Sequence, residues 1–233
     1  MLVNHLFGKS IMANWGALIS DQYGNPWVTP DTTPMSLVQK IVLNPSAAGS
    51  YTLPVNSSSP FIIGCHATVG NVLFYIRKVD STYTLNYKVV GTGGSPGTVT
   101  IYIFGYVIPQ PLPKWGVAIW NAAGQCILTN ETKVMNPPVG YGTIGSTTDI
   151  GYLVDKTVGG KWAVLPRVVG VVVGVMGTTQ PRPWSSPIDT SAYYDGSSTR
   201  IRAGQRDAPG EELHNVGYSN SRDQIFAIDV SRY

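Results

Sequence analysis

Charge is what this chain has least of. Of its 233 residues, 16 are Lys or Arg and 13 are Asp or Glu, or 12% in all, about half the usual globular share. The basic residues are scattered and form no run. A net charge of +3 spread this way gives no even field to hold a phosphate backbone, so no nucleic-acid partner is expected. A surface so poor in charge fits better with burial against other protein subunits.

Histidine and cysteine are almost as sparse. His5, His66 and His214 lie far apart, and none belongs to an H-x-x-x-H or H-E-x-x-H pattern. Cys65 and His66 are neighbours, and in a strand they point to opposite faces, so they cannot clasp one metal ion. No metal site is expected. The two cysteines, Cys65 and Cys126, are too few for a disulfide scaffold and read as small buried hydrophobes.

Long apolar runs are missing as well. The most apolar stretch, Val168 to Met176 (VVGVVVGVM), is far too short to cross a bilayer as a helix and reads as a buried strand, so no membrane insertion is expected. The first residues, MLVNHLFGKSIM, have one late lysine and no small-residue cleavage site. No signal peptide is expected there, and residues 1–12 read as an arm, with Met12 left open as an alternative start.

Catalytic signatures are wanting too. No G-x-S-x-G elbow and no phosphate-binding loop occurs, and the glycine-rich stretch Gly91 to Gly97 is followed by neither a lysine nor a helix start. Asp149, Asp155, Asp189 and Asp195 carry no sign of the pairing a glycosidase needs, and aspartates are common in turns. The reading is a non-enzyme, with no catalytic residue and no cofactor.

What the chain does have is glycine (26) and proline (17) set among valine, threonine, isoleucine and tyrosine. That mixture makes short strands joined by tight turns, an all-β protein. It also has an internal repeat. Asn14 to Thr29 reads NWGALISDQYGNPWVT and Lys114 to Thr129 reads KWGVAIWNAAGQCILT, an ungapped offset of 100 residues. Trp15 matches Trp115, Gly16 matches Gly116, Ile19 matches Ile119, Gly24 matches Gly124 and Thr29 matches Thr129. Each block reads as a hairpin: an alternating strand, a D/N-x-x-G turn whose glycine takes a left-handed conformation, and a second strand. Trp15 and Trp115 read as core anchors of that hairpin.

Other strand-like stretches fill both halves. Pro60 to Lys78 gives two strands around Gly70-Asn71, and Lys161 to Gly177 takes the corresponding place. Each half closes on a strong strand, Val99 to Val107 and Gln224 to Val230, preceded by Tyr83 to Val90 and Thr199 to Ala203. The expectation is two tandem β-sandwich-like domains related by internal duplication, at 13–107 and 114–233, the second with longer loops. Residues 108–113, Ile-Pro-Gln-Pro-Leu-Pro, read as a stiff spacer. Thr178 to Pro187 is too proline-rich for a central strand, and Arg202 to Asn215 reads as an exposed charged loop. Trp184, Tyr193, Tyr194, Arg202, Arg206 and Glu211 form a candidate binding surface, where an exposed aromatic stacks on a sugar or seats a partner. The plainer alternative is a solvated loop packed over the sandwich.

The block W-G-x-x-I-x-[DN]-x-x-G, carried by Asn14–Thr29, by Lys114–Thr129 and more weakly by the closing strand Ile225–Tyr233, resembles small minor tail or tail-tip virion proteins of tailed bacteriophages. The resemblance covers about a third of the chain, by repeat matching. It implies a structural virion component, in the tail, made in the host cytoplasm and assembled with other virion proteins as a homo-oligomer around a symmetry axis. Its variants are a receptor- or carbohydrate-binding module contacting a host receptor or glycan, and a capsid decoration or head-fibre protein. The tandem doubling and the arm depart from the simple pattern and leave the virion position open.

Overall fold

The computed structural model describes residues 33–56, 58–91, 94–121 and 123–233, together with the backbone of 19–20 and 26–28. The expected arm at 1–12, Trp15 and the turn at Gly24 lie outside the described residues. The strands are β1 (Ile19–Ser20), β2 (Pro26–Val28), β3 (Ser36–Leu43), β4 (Gly49–Thr52), β5 (Phe61–Ala67) and β6 (Val72–Val79). Next come β7 (Thr82–Val89), β8 (Val99–Gly105), β9 (Ala118–Trp120), β10 (Cys126–Thr129), β11 (Val139–Tyr141) and β12 (Asp155–Gly159). The chain ends with β13 (Trp162–Val164), β14 (Val168–Met176), β15 (Arg182–Tyr194), β16 (Ser198–Gln205), β17 (Leu213–Asn220) and β18 (Ile225–Asp229). A single 3-10 turn, Gly151–Leu153, is the sole helical element among the described residues. The protein is all-β.

The chain forms two bodies, and they do not follow the expected boundaries. One takes the described residues up to Pro34 and Val107–Thr132; the other joins Met35–Tyr106 to Lys133–Tyr233. The smaller body is built on the repeated block. Ile19 pairs with Val28 and Ser20 with Pro26; Ile119 pairs with Leu128 and Trp120 with Cys126. The two hairpins therefore share one register and one irregularity, residue for residue. The proline-rich segment 108–113 is not a free spacer, because Gln110 N–H donates to Cys126 O at 2.7 Å and the Gln110 side chain is buried.

In the larger body the two halves of the chain read alike, strand for strand. The first gives the strand orders β3-β8-β5 and β4-β7-β6; the second gives β11-β18-β13 and β12-β16-β15. The halves then join edge to edge by antiparallel bridges, Val164 with Cys65 and Thr190 with Phe74. The result is one 14-stranded mixed sheet, in which the two strand sets are also linked by a parallel bridge between Tyr193 and Ala67. This sharing of edges is why the expected pair of separate sandwiches does not appear.

Alternation puts the core between these strand sets. Cys65, Ile101, Phe74 and Leu85 from the first half meet Val164, Ala227, Ala192 and Ile201 from the second, all fully buried in one cluster. β8 is buried on both faces, as its unbroken run VTIYIFG anticipates. Its other side chains, Tyr102 and Phe104, join Ala163, Ile228 and Val230 in a second cluster capped by Tyr233. The Tyr233 ring stacks edge-on to Phe104 at 5.2 Å while its hydroxyl donates to Val134 O at 2.5 Å. At the seam Gly64 lies against Ala163, where a Cβ would come within 3.0 Å of the alanine methyl.

The second half carries an addition that the first lacks. β14 pairs on one side with Arg182 to Asp189 of β15 and on the other with β17, so the order β15-β14-β17 forms a three-stranded ribbon. Three expectations change here. Pro183 and Pro187 do sit in a strand, because β16 pairs only from Ile188 onward and leaves that stretch of β15 as an edge. Val168 to Met176 is a strand, but only Val169, Gly170 and Val172 are buried, since the ribbon leaves the core beyond them. Arg202 to Asn215 is not one loop: Arg202 to Gln205 complete β16 and Leu213 opens β17.

Candidate functional site

The six residues singled out from the sequence fall in separate places. Trp184 and Glu211 belong to the ribbon, where Glu211 accepts from Arg182 at 2.7 Å. Tyr193 and Arg202 lie on the outer face of the strands β15 and β16, Tyr193 about 30 Å and Arg202 about 23 Å along β15 from Trp184 at strand rise. Tyr194 points to the other side of β15, its ring 5.8 Å from His66 with Lys161 Nζ 5.0 Å above it. Arg206 is committed to a structural pair.

That pair organises the sheet's outer face. Asp189 is fully buried and accepts from Arg206 Nε at 2.6 Å and Nη2 at 2.8 Å. The guanidinium also lies 3.7 Å from the centre of the Tyr75 ring, across the seam. Burial pushes the Asp189 carboxyl above its usual range, and the Arg206 hydrogen bonds oppose that push. Next to it, Lys88 pairs with Asp207 at 2.6 Å, and Asp207 N–H donates to Ser186 Oγ at 2.8 Å. This network pins the turn after β16 onto both halves. Asp155 is bound in a bidentate pair by Arg200 at 2.7 and 2.5 Å, so Arg202, its partner in register, makes no ion pair among the described residues.

His66 sits on the opposite layer, on the face away from the core that Cys65 enters. Its Nε2 meets the Tyr102 hydroxyl at 3.4 Å, and its Nδ1 has no partner among the described residues. Burial, then Lys161 and Lys40, lower its pKa to about 4, so the ring is neutral at pH 7. Burial alone raises the Tyr102 phenol to about 12 and lifts the Cys65 thiol well above its ordinary value. Among the described residues no three His, Cys, Asp or Glu side chains gather as metal ligands.

The exposed apolar groups are what sequence reasoning missed. Trp115, expected as a core anchor, is 81% exposed, with Val117 and Trp120 also at the surface. The cause lies in Gly116. Its φ of +129° favours glycine, and a Cβ there would fall 2.1 Å from Asn130 Oδ1. Asn130 accepts from Val117 N–H at 3.1 Å, so the Trp-Gly pair is held in a shape that turns the indole outward. On the ribbon, Val173, Val216 and Tyr218 are exposed, with the Tyr218 ring 5.8 Å from that of Tyr152. A Trp-Gly with an obligatory glycine was the available signal for the first; a repeat matched by an unmatched insertion was the signal for the second.

Compared with known proteins, the chain finds no match: no family model, no curated protein and no solved structure.

Proposed function

We propose that this chain is a structural component of a bacteriophage virion, a minor tail or tail-tip protein that assembles symmetrically with other tail proteins. It catalyses nothing and carries no cofactor. Its partners are other virion proteins and further copies of itself. The same reading takes the chain as a tandem duplication of one module, a Trp-Gly hairpin followed by six strands. The shared hairpin register and the matching strand orders support that duplication.

The observation that carries the proposal is the combination of a firmly buried double-layer core with uncovered apolar side chains on two added pieces, the hairpin of β9 and β10 and the ribbon. Contiguous exposed apolar groups mark interaction surfaces. A chain that is 12% charged has little other means to fill such surfaces with solvent-loving groups. The test is an immunoblot of purified particles with antibody against the chain, beside its mass in solution. The band in particles is expected; its absence overturns the virion role.

A receptor- or glycan-binding tip is the second reading. It is favoured by the polar groove at the ribbon's tip, about 690 Å³, lined by Thr178, Gln180, Arg182, Glu211 and His214, on the strand that carries Trp184. A glycan array with wild-type chain and Trp184→Ala decides it: binding lost in the variant supports a sugar site.

A further inference from the structure

We propose that β17 is the edge through which two copies of this chain pair, antiparallel, about a two-fold axis. The proposal rests on the symmetric-assembly reading above and supplies its contact.

Sheet edges in monomers are blunted by shortness, charge, proline or a bulge. The other open edges here follow that rule. β4 has four residues and β11 three; β12 begins with Asp155 and Lys156; β3 carries Lys40 in its middle. β17 has neither shortness, charge nor proline. It is an eight-residue strand, LHNVGYSN, and among the described residues it pairs only with β14. Its one irregularity lies opposite Gly174, and Gly217 to Asn220 run in regular register. Val216 is 46% and Tyr218 59% exposed, so the edge offers apolar side chains as well as unpaired backbone groups.

The ends of the strand select the occupant. Glu211 and Glu212 precede it, and Arg222 and Asp223 follow it, all exposed. Glu211 is held by Arg182 and Asp223 by Arg167, so an antiparallel pairing of β17 with itself brings Glu212 of one copy to Arg222 of the other, and does so twice. A parallel pairing would set like charges together. With Gly217 near the axis, Val216 of one copy faces Tyr218 of the second, a β-branched and aromatic pair of the kind that favours cross-strand contact. Glu212 and Arg222 make no ion pair within the chain among the described residues, so both are free for this use. The strand is self-complementary, as an isologous interface requires.

The test uses the full-length chain and sedimentation over a concentration series. Wild type is expected to dimerise. Arg222→Glu and Glu212→Arg, each alone, set like charges at both ends and are expected to weaken the dimer by about tenfold or more, from the cost of like-charge contacts. Mixed one to one, the two variants recover opposite charges at both ends and are expected to associate with each other as tightly as wild type. A wild-type chain that stays monomeric at every concentration overturns the pairing, and so does an oligomer that Arg222→Glu leaves unchanged. A monomer whose entry into particles depends on Arg222 assigns the edge to a different virion protein and also overturns it. The particle immunoblot decides the broader reading separately: a dimer absent from particles keeps the β17 contact and removes the virion role.

Discussion

The two halves of the larger body repeat one strand order and spend their differences in distinct places. Where the first half has Leu73 next to the Phe74 bridge, the second has Asp189 next to the Thr190 that faces it. Where the first has His66 beyond Cys65, the second has Leu165 beyond Val164. The first half closes on hairpins; the second is opened by the β15-β14-β17 ribbon. Hydrocarbon predominates among the inner side chains, with buried Thr190 facing Phe74 as a polar exception, and the added strands lie at one end. Packing density tolerates little change within the core, so divergence shows where solvent or a partner can take up the difference.

The strongest way to break the symmetry is to strike what the halves share. Phe74→Ala empties a fully buried site at the seam and is expected to cost about 3 to 5 kcal/mol in urea unfolding. Because one core serves both halves, the larger body should still unfold in one transition rather than two. Next comes the buried ion pair of the second half. Arg206→Met leaves Asp189 uncompensated and is expected to cost about 3 kcal/mol, whereas Arg206→Met with Asp189→Leu, a copy of the first half's hydrocarbon, should return to within about 1 kcal/mol of wild type.

The histidine of the first half gives a pH test. Its folded pKa of about 4 lies below its ordinary value of 6.5, so its contribution is fully present above pH 6.5 and is lost as pH falls toward 4. The loss is expected to be about 2 to 3 kcal/mol between pH 7 and 4.5, read from the urea midpoint. His66→Leu, after Leu165 in the other half, should flatten that dependence. Asp189, raised by burial, works in the opposite direction, so its replacement should steepen the fall. The smallest effect is expected on the ribbon: Trp184→Ala, at a half-exposed site, should change stability by less than about 1 kcal/mol.

Local elements were legible because local chemistry writes them. β5, β6, β7 and β8 follow from alternating or unbroken apolar runs, and Asn71 takes a positive φ of 67° in the expected turn after Gly70. Cys65 and His66 part to opposite faces as strand geometry demands. The seam was not legible, since Val164 with Cys65 and Thr190 with Phe74 are single bridges between residues about a hundred positions apart, and nothing nearby announces them. Beyond the hairpin the two halves matched only loosely in sequence, because the ribbon changes the spacing there. The candidate surface scattered for a similar reason: Trp184 and Tyr193 are close in sequence but share one extended strand, which sets them far apart.

That strand has a mechanical meaning. β15 runs 13 residues without a break, from Arg182 at the ribbon's tip to Tyr194 beside the seam. Its first part belongs to the ribbon and its last part to the core. An extended backbone does not lengthen under load, and no hinge interrupts this one. A pull on the ribbon is thus delivered to Thr190 and to its bridge with Phe74, which join the two halves. The piece most exposed to a neighbour is tied by a single inextensible cord to the most protected part of the molecule. Whatever docks at the tip tugs on the keel.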